Sequence, residues 1–325
     1  MNTKDKLAKV IISLLTIVAI LCINLSACSS PSDQMPPYIQ GFSVHYIDVG
    51  NGDCIFINFD DGKTMIIDGG ASIDNNYKNL TSYLSRYNVT EIDYLLITHP
   101  DVDHVGNASL ILQDYTVKKA FIPNILDKNS YITFNQTFAL LQTENCAIEY
   151  SSMYSKIEGE NYYLAFLSPL GDSLTGNYYS EFNLLETPND RQVNDLSPIV
   201  YLQYKGVKFV FTGDASTSQE RLVLQNYNSG LYSVIHGGKV SLDGVHFLKL
   251  AHHGSADSTS QEFANYLCPQ NAVVSVGGNN VYGHPATVVF NRLTQANPNV
   301  KVLRTDVLGS ISVGVNNLGQ YKIYS

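Results

Sequence analysis

From Gly41 onward, short apolar runs bounded by turn residues alternate with stretches of helical period. Ser43–Val49, Cys54–Phe59 and Thr64–Ile67 read as strands. They are divided by Gly50-Asn51-Gly52-Asp53 and by Asp60-Asp61-Gly62, the latter a hairpin signal. Tyr77, Leu80, Leu84 and Tyr87 share one stripe at helical spacing and predict an amphipathic helix, followed by an apolar strand over Ile92–Thr98. Further strands are expected at Pro198–Tyr204 and Val207–Thr212, joined by a Lys205-Gly206 turn. Others are expected at Phe247–Ala251, Ala272–Val276, Lys301–Leu303 and Ser310–Val313. Helical patterns cover Asp103–Gln113, Phe134–Thr143, Thr217–Gln225, Ser260–Leu267 and Ala286–Ala296, whereas 151–196 is polar, rich in tyrosine and without a clear period. Strands in two groups interrupted by helices suit two stacked sheets flanked by helices, within one domain over 41–325.

The first residues follow another logic. Lys4, Lys6 and Lys9 precede Val10–Leu25, a nearly unbroken apolar run too short for a comfortable membrane span but suited to a signal-peptide core. The run ends in Leu25-Ser26-Ala27-Cys28, which resembles a bacterial lipobox. That resemblance implies that residues 1–27 are removed and Cys28 is lipidated. It also implies that 28–40 is a flexible tether, and that the protein is an extracytoplasmic lipoprotein anchored in a membrane. Taking three lysines and one aspartate from the chain's 20 basic and 29 acidic residues leaves 17 and 28, a net charge of −11. Such an acidic body lacks the clustered Lys and Arg of a non-specific duplex binder, so a polyanionic substrate has to be drawn by metal or by a local patch. With Cys22 and Cys28 set aside, Cys54, Cys146 and Cys268 remain. They show no CxxC spacing and read as buried small residues rather than thiolate ligands.

The candidate chemistry concentrates in Leu95-Leu96-Ile97-Thr98-His99-Pro100-Asp101-Val102-Asp103-His104-Val105-Gly106, where four potential ligands follow a buried strand. Pro100 disfavours helix at His99, so His99 and Asp101 project to one side of an extended segment. Asp103 and His104 open a helix and diverge by about 100°, which suits two ions more than one. Asp214 leaves the apolar strand after Val207–Phe211, and His252-His253 ends another strand before Gly254.

The first of these stretches resembles the HxHxDH signature of the metallo-β-lactamase superfamily in its HxDxDHxG variant, typical of ComEC-type competence proteins and their stand-alone relatives. Val44–Asp53, Ile66-Ile67-Asp68-Gly69-Gly70, Asn194-Asp195-Leu196-Ser197, Phe211–Ala215, Leu250–Ser255 and Tyr282-Gly283-His284-Pro285 match the same branch in the same order. The resemblance implies a four-layer αββα sandwich of the α/β class and two divalent ions, zinc or manganese. It places one ion on His99, Asp101 and Asp214, and the other on Asp103, His104, Asp214 and one histidine of the pair, His252 favoured over His253. Asn194 and Asp195 stand where other members carry a third-motif histidine, which thins the shell of the first ion. The excess of carboxylate shifts preference toward harder ions and makes manganese a rival to zinc.

The expected mechanism is attack by a metal-activated hydroxide between cations roughly 4 Å apart, with Asp103 and Asp214 orienting it. His284 is expected to touch the substrate or protonate a leaving group, and Tyr282, Asn279, Asn280, Asn194 and Asp195 to help bind it. Asp48 and Asp53 are expected to cap turns beneath the site, and His45, His236 and His246 to be structural or on the surface. The ComEC-type resemblance implies a phosphodiesterase or nuclease, with single-stranded DNA as a candidate substrate. The alternatives are hydrolysis of a lactone, thioester or β-lactam, and a binding lipoprotein with a vestigial site.

Overall fold

Strands β1 (Phe42–Tyr46), β2 (Ile55–Asn58), β3 (Thr64–Ile67), β4 (Glu91–Leu96), β5 (Thr116–Ile122), β6 (Ala147–Tyr150), β14 (Ile311–Val315) and β15 (Tyr321–Tyr324) form one sheet. Its order is β15-β14-β1-β2-β3-β4-β5-β6. The second sheet runs β13-β12-β11-β10-β9-β8-β7, from β13 (Lys301–Arg304), β12 (Asn271–Val274), β11 (Phe247–Lys249), β10 (Val207–Phe211), β9 (Val200–Tyr204), β8 (Tyr162–Phe166) and β7 (Lys156–Glu158). This is a computed structural model. It describes residues 35–125, 130–170, 190–278 and 280–325, with 35–325 in one compact unit.

Strand parity builds the layers. Val44 and Tyr46 of β1, Ile55 and Ile57 of β2, Leu202 and Tyr204 of β9, and Phe209 and Phe211 of β10 meet in one buried cluster between the sheets. The alternate residues face outward beneath helices: Phe56 joins Leu80 and Leu84 of helix Asp74–Arg86, and Val210 joins Val223 and Leu224 of helix Thr217–Asn228. With both faces covered, these strands read as continuous apolar runs. Phe42 of β1 stacks on Tyr204 of β9 at 4.2 Å with 5° between ring planes, which ties the sheets together. The architecture is the αββα sandwich that the sequence led us to expect.

The site's position follows from strand direction. β3, β4 and β5 are parallel neighbours in one sheet, and β10, β11 and β12 in the other. Open α/β sheets present ligand sites at the carboxyl ends of such strands. Asp68, His99, Asp214, His252 and Ser275 all stand just past those ends.

Several elements depart from expectation. The single helix expected over Asp103–Gln113 is two, Val102–Val105 and Ala108–Asp114. Between them a Cβ at Gly106 would lie 2.4 Å from the Val102 carbonyl oxygen and 2.5 Å from the Ser72 nitrogen. Asn107 donates to the carbonyls of Gly69 and Ala71 at 2.8 and 2.9 Å, pinning the break. β5, β6 and β15 went unread because half their positions are polar or partly exposed, as suits the sheet's margins. In the unread 151–196 segment, β8 consists of buried residues led by Tyr162 and Tyr163. Part of the stretch assigned to a tether lies on the domain: Pro36 and Ile39 are buried, the Ile39 amide donates to the Tyr87 hydroxyl at 3.1 Å, and Arg86 donates to the Pro36 carbonyl. The signal segment 1–27, Cys28, Asn279 and 171–189 lie outside the described residues. Among the described residues no helix is long and apolar enough to cross a membrane.

Candidate metal centre

Three buried imidazoles converge on one carboxylate. Asp214 Oδ1 lies 3.3 Å from His104 Nε2, while its Oδ2 lies 3.9 Å from His99 Nε2 and 3.7 Å from His253 Nε2. Each ring is held from behind by its other nitrogen. His99 Nδ1 sits 3.0 Å from the Thr98 hydroxyl and 3.2 Å from that of Ser197. His104 Nδ1 meets Asp68 Oδ2 at 2.8 Å, and His253 Nδ1 meets the Ser275 carbonyl at 2.8 Å. Asp68 also accepts from the Thr98 amide and hydroxyl, and Ser197 Oγ accepts from the Asp214 amide, so the proton belongs on Nδ1 in all three rings. Their Nε2 lone pairs then face inward.

Among the described residues these inward atoms have no hydrogen-bond partner. His99 Nε2, His104 Nε2, His253 Nε2 and Asp214 Oδ1 are buried without a hydrogen bond. Leaving four such atoms unsatisfied costs on the order of 1–3 kcal/mol each, which a cation would offset. Two ligands at about 2.0–2.1 Å from a tetrahedral ion stand roughly 3.3 Å apart, close to the spacings seen here. Two overlapping groups have ligand atoms within 4.8 Å of one another: His99, His104 and Asp214, and Asp103, His104 and His253. The residues fit divalent metal.

The electrostatics agree. Burial alone would raise Asp214, but the imidazoles of His104, His253 and His99 hold it well below the usual carboxylate range. Asp103 behaves likewise: burial opposes ionisation, and His253 and His104 outweigh it. Burial lowers His104, yet Asp214 and Asp68 raise it well above an ordinary histidine. Such concentrated opposing charge is typical of functional sites.

The structure places each expected residue. Asp101 is partly exposed, its Oδ2 3.6 Å from His99 Nε2. Asp103 Oδ2 lies 3.4 Å from His253 Nε2. The member of the pair that meets Asp103 is therefore His253, not the favoured His252. His252 Nε2 approaches Asp214 Oδ2 at 3.8 Å from the solvent side, while its Nδ1 lies 3.4 Å from the Asn194 amide and 3.7 Å from Asp257. Both residues have left-handed backbone, with φ of 49° and 52°, so the first does not point where an extended strand would send it. The turn is fixed by the His252 amide on the Gly213 carbonyl at 3.0 Å and the Ser255 amide on His252 at 2.8 Å.

Three substrate-binding expectations change. Asp195 is buried and accepts from the Ser216 amide at 3.0 Å, so its carboxylate bolts the Asp214 loop in place. Asn280 accepts from the amides of Tyr282 and His284 at 3.1 Å each and donates to the His284 carbonyl, which spends it on its own loop. Asn194 faces His252 rather than open space. His284 stands edge-on to His252 with ring centres 5.6 Å apart, and burial followed by His252 and His253 lowers its pKa. Tyr282 is exposed beside it. Asp48 caps its turn by accepting from the Gly50 amide at 3.0 Å, whereas Asp53 pairs with a buried lysine rather than capping a turn. His45 and His236 are buried in hydrogen bonds to Ser43, Ser312 and Tyr163, away from the site.

Residues the sequence reading passed over do much of the positioning. Asp68 carried a signal, a carboxylate leaving an apolar strand ahead of two glycines, but no ligand role singled it out. Lys249 carried another, a cation inside the run Phe247–Ala251.

A family model described as the metallo-beta-lactamase superfamily matches residues 47–185. Over these residues the chain is similar to that superfamily. It is 27% identical over 300 residues to ComE operon protein 3 of Bacillus subtilis (strain 168), covering 86% of this chain and 34% of that protein. It is 31% identical over 141 residues to competence protein ComA of Neisseria gonorrhoeae, covering 43% of this chain and 18% of that one. The chain thus spans about a third of the first relative's length and less of the second's. These likenesses support a ComEC-type member of the metallo-beta-lactamase superfamily. The metallo-beta-lactamase fold protein YhfI of Bacillus subtilis aligns with 9% identity and a TM-score of 0.48, over 87% of this chain and 99% of that one. With its two-sheet fold and this His/Asp cluster, the protein has a metallohydrolase-like fold suited to divalent metal.

Proposed function

We propose that this protein is a dinuclear metal-dependent phosphodiesterase acting on nucleic acid, with single-stranded DNA as the first candidate substrate. One observation carries the reading: three buried Nε2 atoms and a buried carboxylate oxygen face each other with no other partner. The two overlapping ligand groups support a pair of ions, and the share of carboxylates keeps manganese beside zinc as the candidate metal. The choice of a phosphodiester leans on the competence relatives. The formal charge of −9 counts against attraction of a polyanion by the protein surface, so cations at the site have to draw the substrate.

His99, Asp101 and Asp214 would hold one ion, and Asp103, His104, Asp214 and His253 the other. When bound, divalent cations supply Lewis-acid activation of water and neutralise charge developing on phosphoryl oxygens. The protein's own groups do the rest. Asp103 and Asp214 stay ionised and accept from the attacking water, orienting it. Asp68, Thr98, Ser197 and Ser275 fix the Nδ1 protons, so the rings cannot rotate or change tautomer. His284 and Tyr282 flank His252 on its exposed side and provide the surface next to the reacting group. The Lys4, Lys6, Lys9 and Cys28 pattern supports a lipid-anchored enzyme outside the cytoplasm.

The test is turnover of bis-p-nitrophenyl phosphate, single-stranded DNA and nitrocefin, each with manganese or zinc. Phosphodiester turnover that disappears in Asp103→Ala is the expected result. Turnover of nitrocefin alone would overturn the substrate class, and undiminished turnover by Asp103→Ala would remove the mechanism.

A further inference from the structure

A buried ion pair lies directly beneath the metal centre. Lys249 Nζ sits 2.8 Å from Asp53 Oδ2, with side chains 0% and 2% exposed. Lys249 Nζ also donates to the Leu250 carbonyl at 2.9 Å. Taking two charges out of water costs several kcal/mol per ion, and an apolar pair of the same shape would pack as well. The placement of the pair shows what the charges accomplish. The Asp53 amide donates to the Asp103 carbonyl at 3.3 Å, and a Cβ at the preceding Gly52 would lie 2.2 Å from that same oxygen, so the two loops touch backbone to backbone. Asp53 Oδ1 has no hydrogen bond and lies 3.7 Å from His253 Nδ1. Lys249 closes β11, three residues before His252. The pair thus joins the loop after β1, the Asp103 loop and the His252-His253 turn.

We infer that Asp53 and Lys249 form a positioning pair for the Asp103–His253 half of the metal centre. The Asp53 carboxylate keeps the His253 proton on Nδ1, beside the Ser275 carbonyl, and so leaves Nε2 free for a cation. The Lys249 ammonium balances Asp53. Asp53, Asp68 and His104 otherwise form a third cluster with ligand atoms within 4.8 Å, and an internal cation there keeps Asp53 from competing as a ligand. The inference rests on the metal-centre reading above.

The test uses the full chain with Asp53→Leu and Lys249→Met combined, so that no charge is left unpaired. Zinc affinity is measured by competition with a chromophoric chelator, and cobalt(II) substitution reports geometry through its absorption bands. The double variant should melt close to the metal-free wild type. One of two bound ions should be held roughly 10–100-fold more weakly, with altered cobalt bands, while the other is unchanged. A folded double variant with wild-type affinity and bands for both ions would reduce the pair to a structural role and overturn the inference. If that variant does not fold, Asp53→Asn, which keeps the shape and removes the charge, is read in the same way. A wild-type chain that binds no metal would instead sink the metal-centre reading itself.

Discussion

Asp68 is where the model of the site is most exposed to refutation. Its carboxylate accepts three hydrogen bonds, from the Thr98 amide at 2.8 Å, the Thr98 hydroxyl at 2.7 Å and His104 Nδ1 at 2.8 Å. Asp68→Ala would strand three buried donors at about 1–3 kcal/mol each, comparable to the 5–15 kcal/mol that holds a domain together, so unfolding would mask the chemistry. Asp68→Asn is more informative. Oδ1 can still serve the Thr98 amide, but an NH2 group then faces His104 Nδ1. To accept from it, the ring must move its proton to Nε2, the atom that faces Asp214. A protonated Nε2 cannot ligate, so metal affinity should fall about 10–100-fold, or roughly 1.4–2.7 kcal/mol, while the fold survives. Chelator competition reads the affinity, and nitrogen NMR of the imidazoles reads the tautomer. An Asp68→Asn protein with wild-type zinc affinity and a protonated Nδ1 on His104 would refute the reasoning.

Two further outcomes follow from the same geometry. His253→Ala should weaken metal retention by at least about tenfold more than His252→Ala, measured as metal per chain after dialysis; the reverse order would contradict the assignment of His253 to Asp103. His45 tests burial away from the site: burial, then the Arg86 charge, lowers its pKa from 6.5 to about 3. Between those values only the unfolded chain takes the proton, so this contribution is intact above pH 6.5 and is lost as pH falls. Urea unfolding at pH 6.5 and 5 should show His45→Gln losing about 1–2 kcal/mol less stability than wild type over that interval, and equal losses would remove the account.

Much of the fold was legible because it rests on local pattern. The central strands alternate residues between two buried faces, so β1–β4 and β9–β14 stand out as apolar runs bounded by turns. The marginal strands β5, β6 and β15 did not, since half-exposed positions carry no clear hydrophobic period. The helix expected at Asp103–Gln113 split because Gly106 is pressed against Ser72 and Gly70, a contact between segments distant in sequence.

The site divides along the same line. The sequence alone put four candidate ligands, His99, Asp101, Asp103 and His104, at one strand exit, where local backbone geometry sets their directions. Only the tertiary structure decided that His253 rather than His252 meets Asp103, because two left-handed residues in succession reverse the direction an extended strand implies. Only it showed Asp68 behind His104, Asp195 bolting the Asp214 loop and Lys249 paired with Asp53. The physical reason is that spacing along a strand or helix is set by local dihedral angles. The partner of a buried charge is instead whichever group packing brings within 3 Å, and for Lys249 that group lies nearly two hundred positions away.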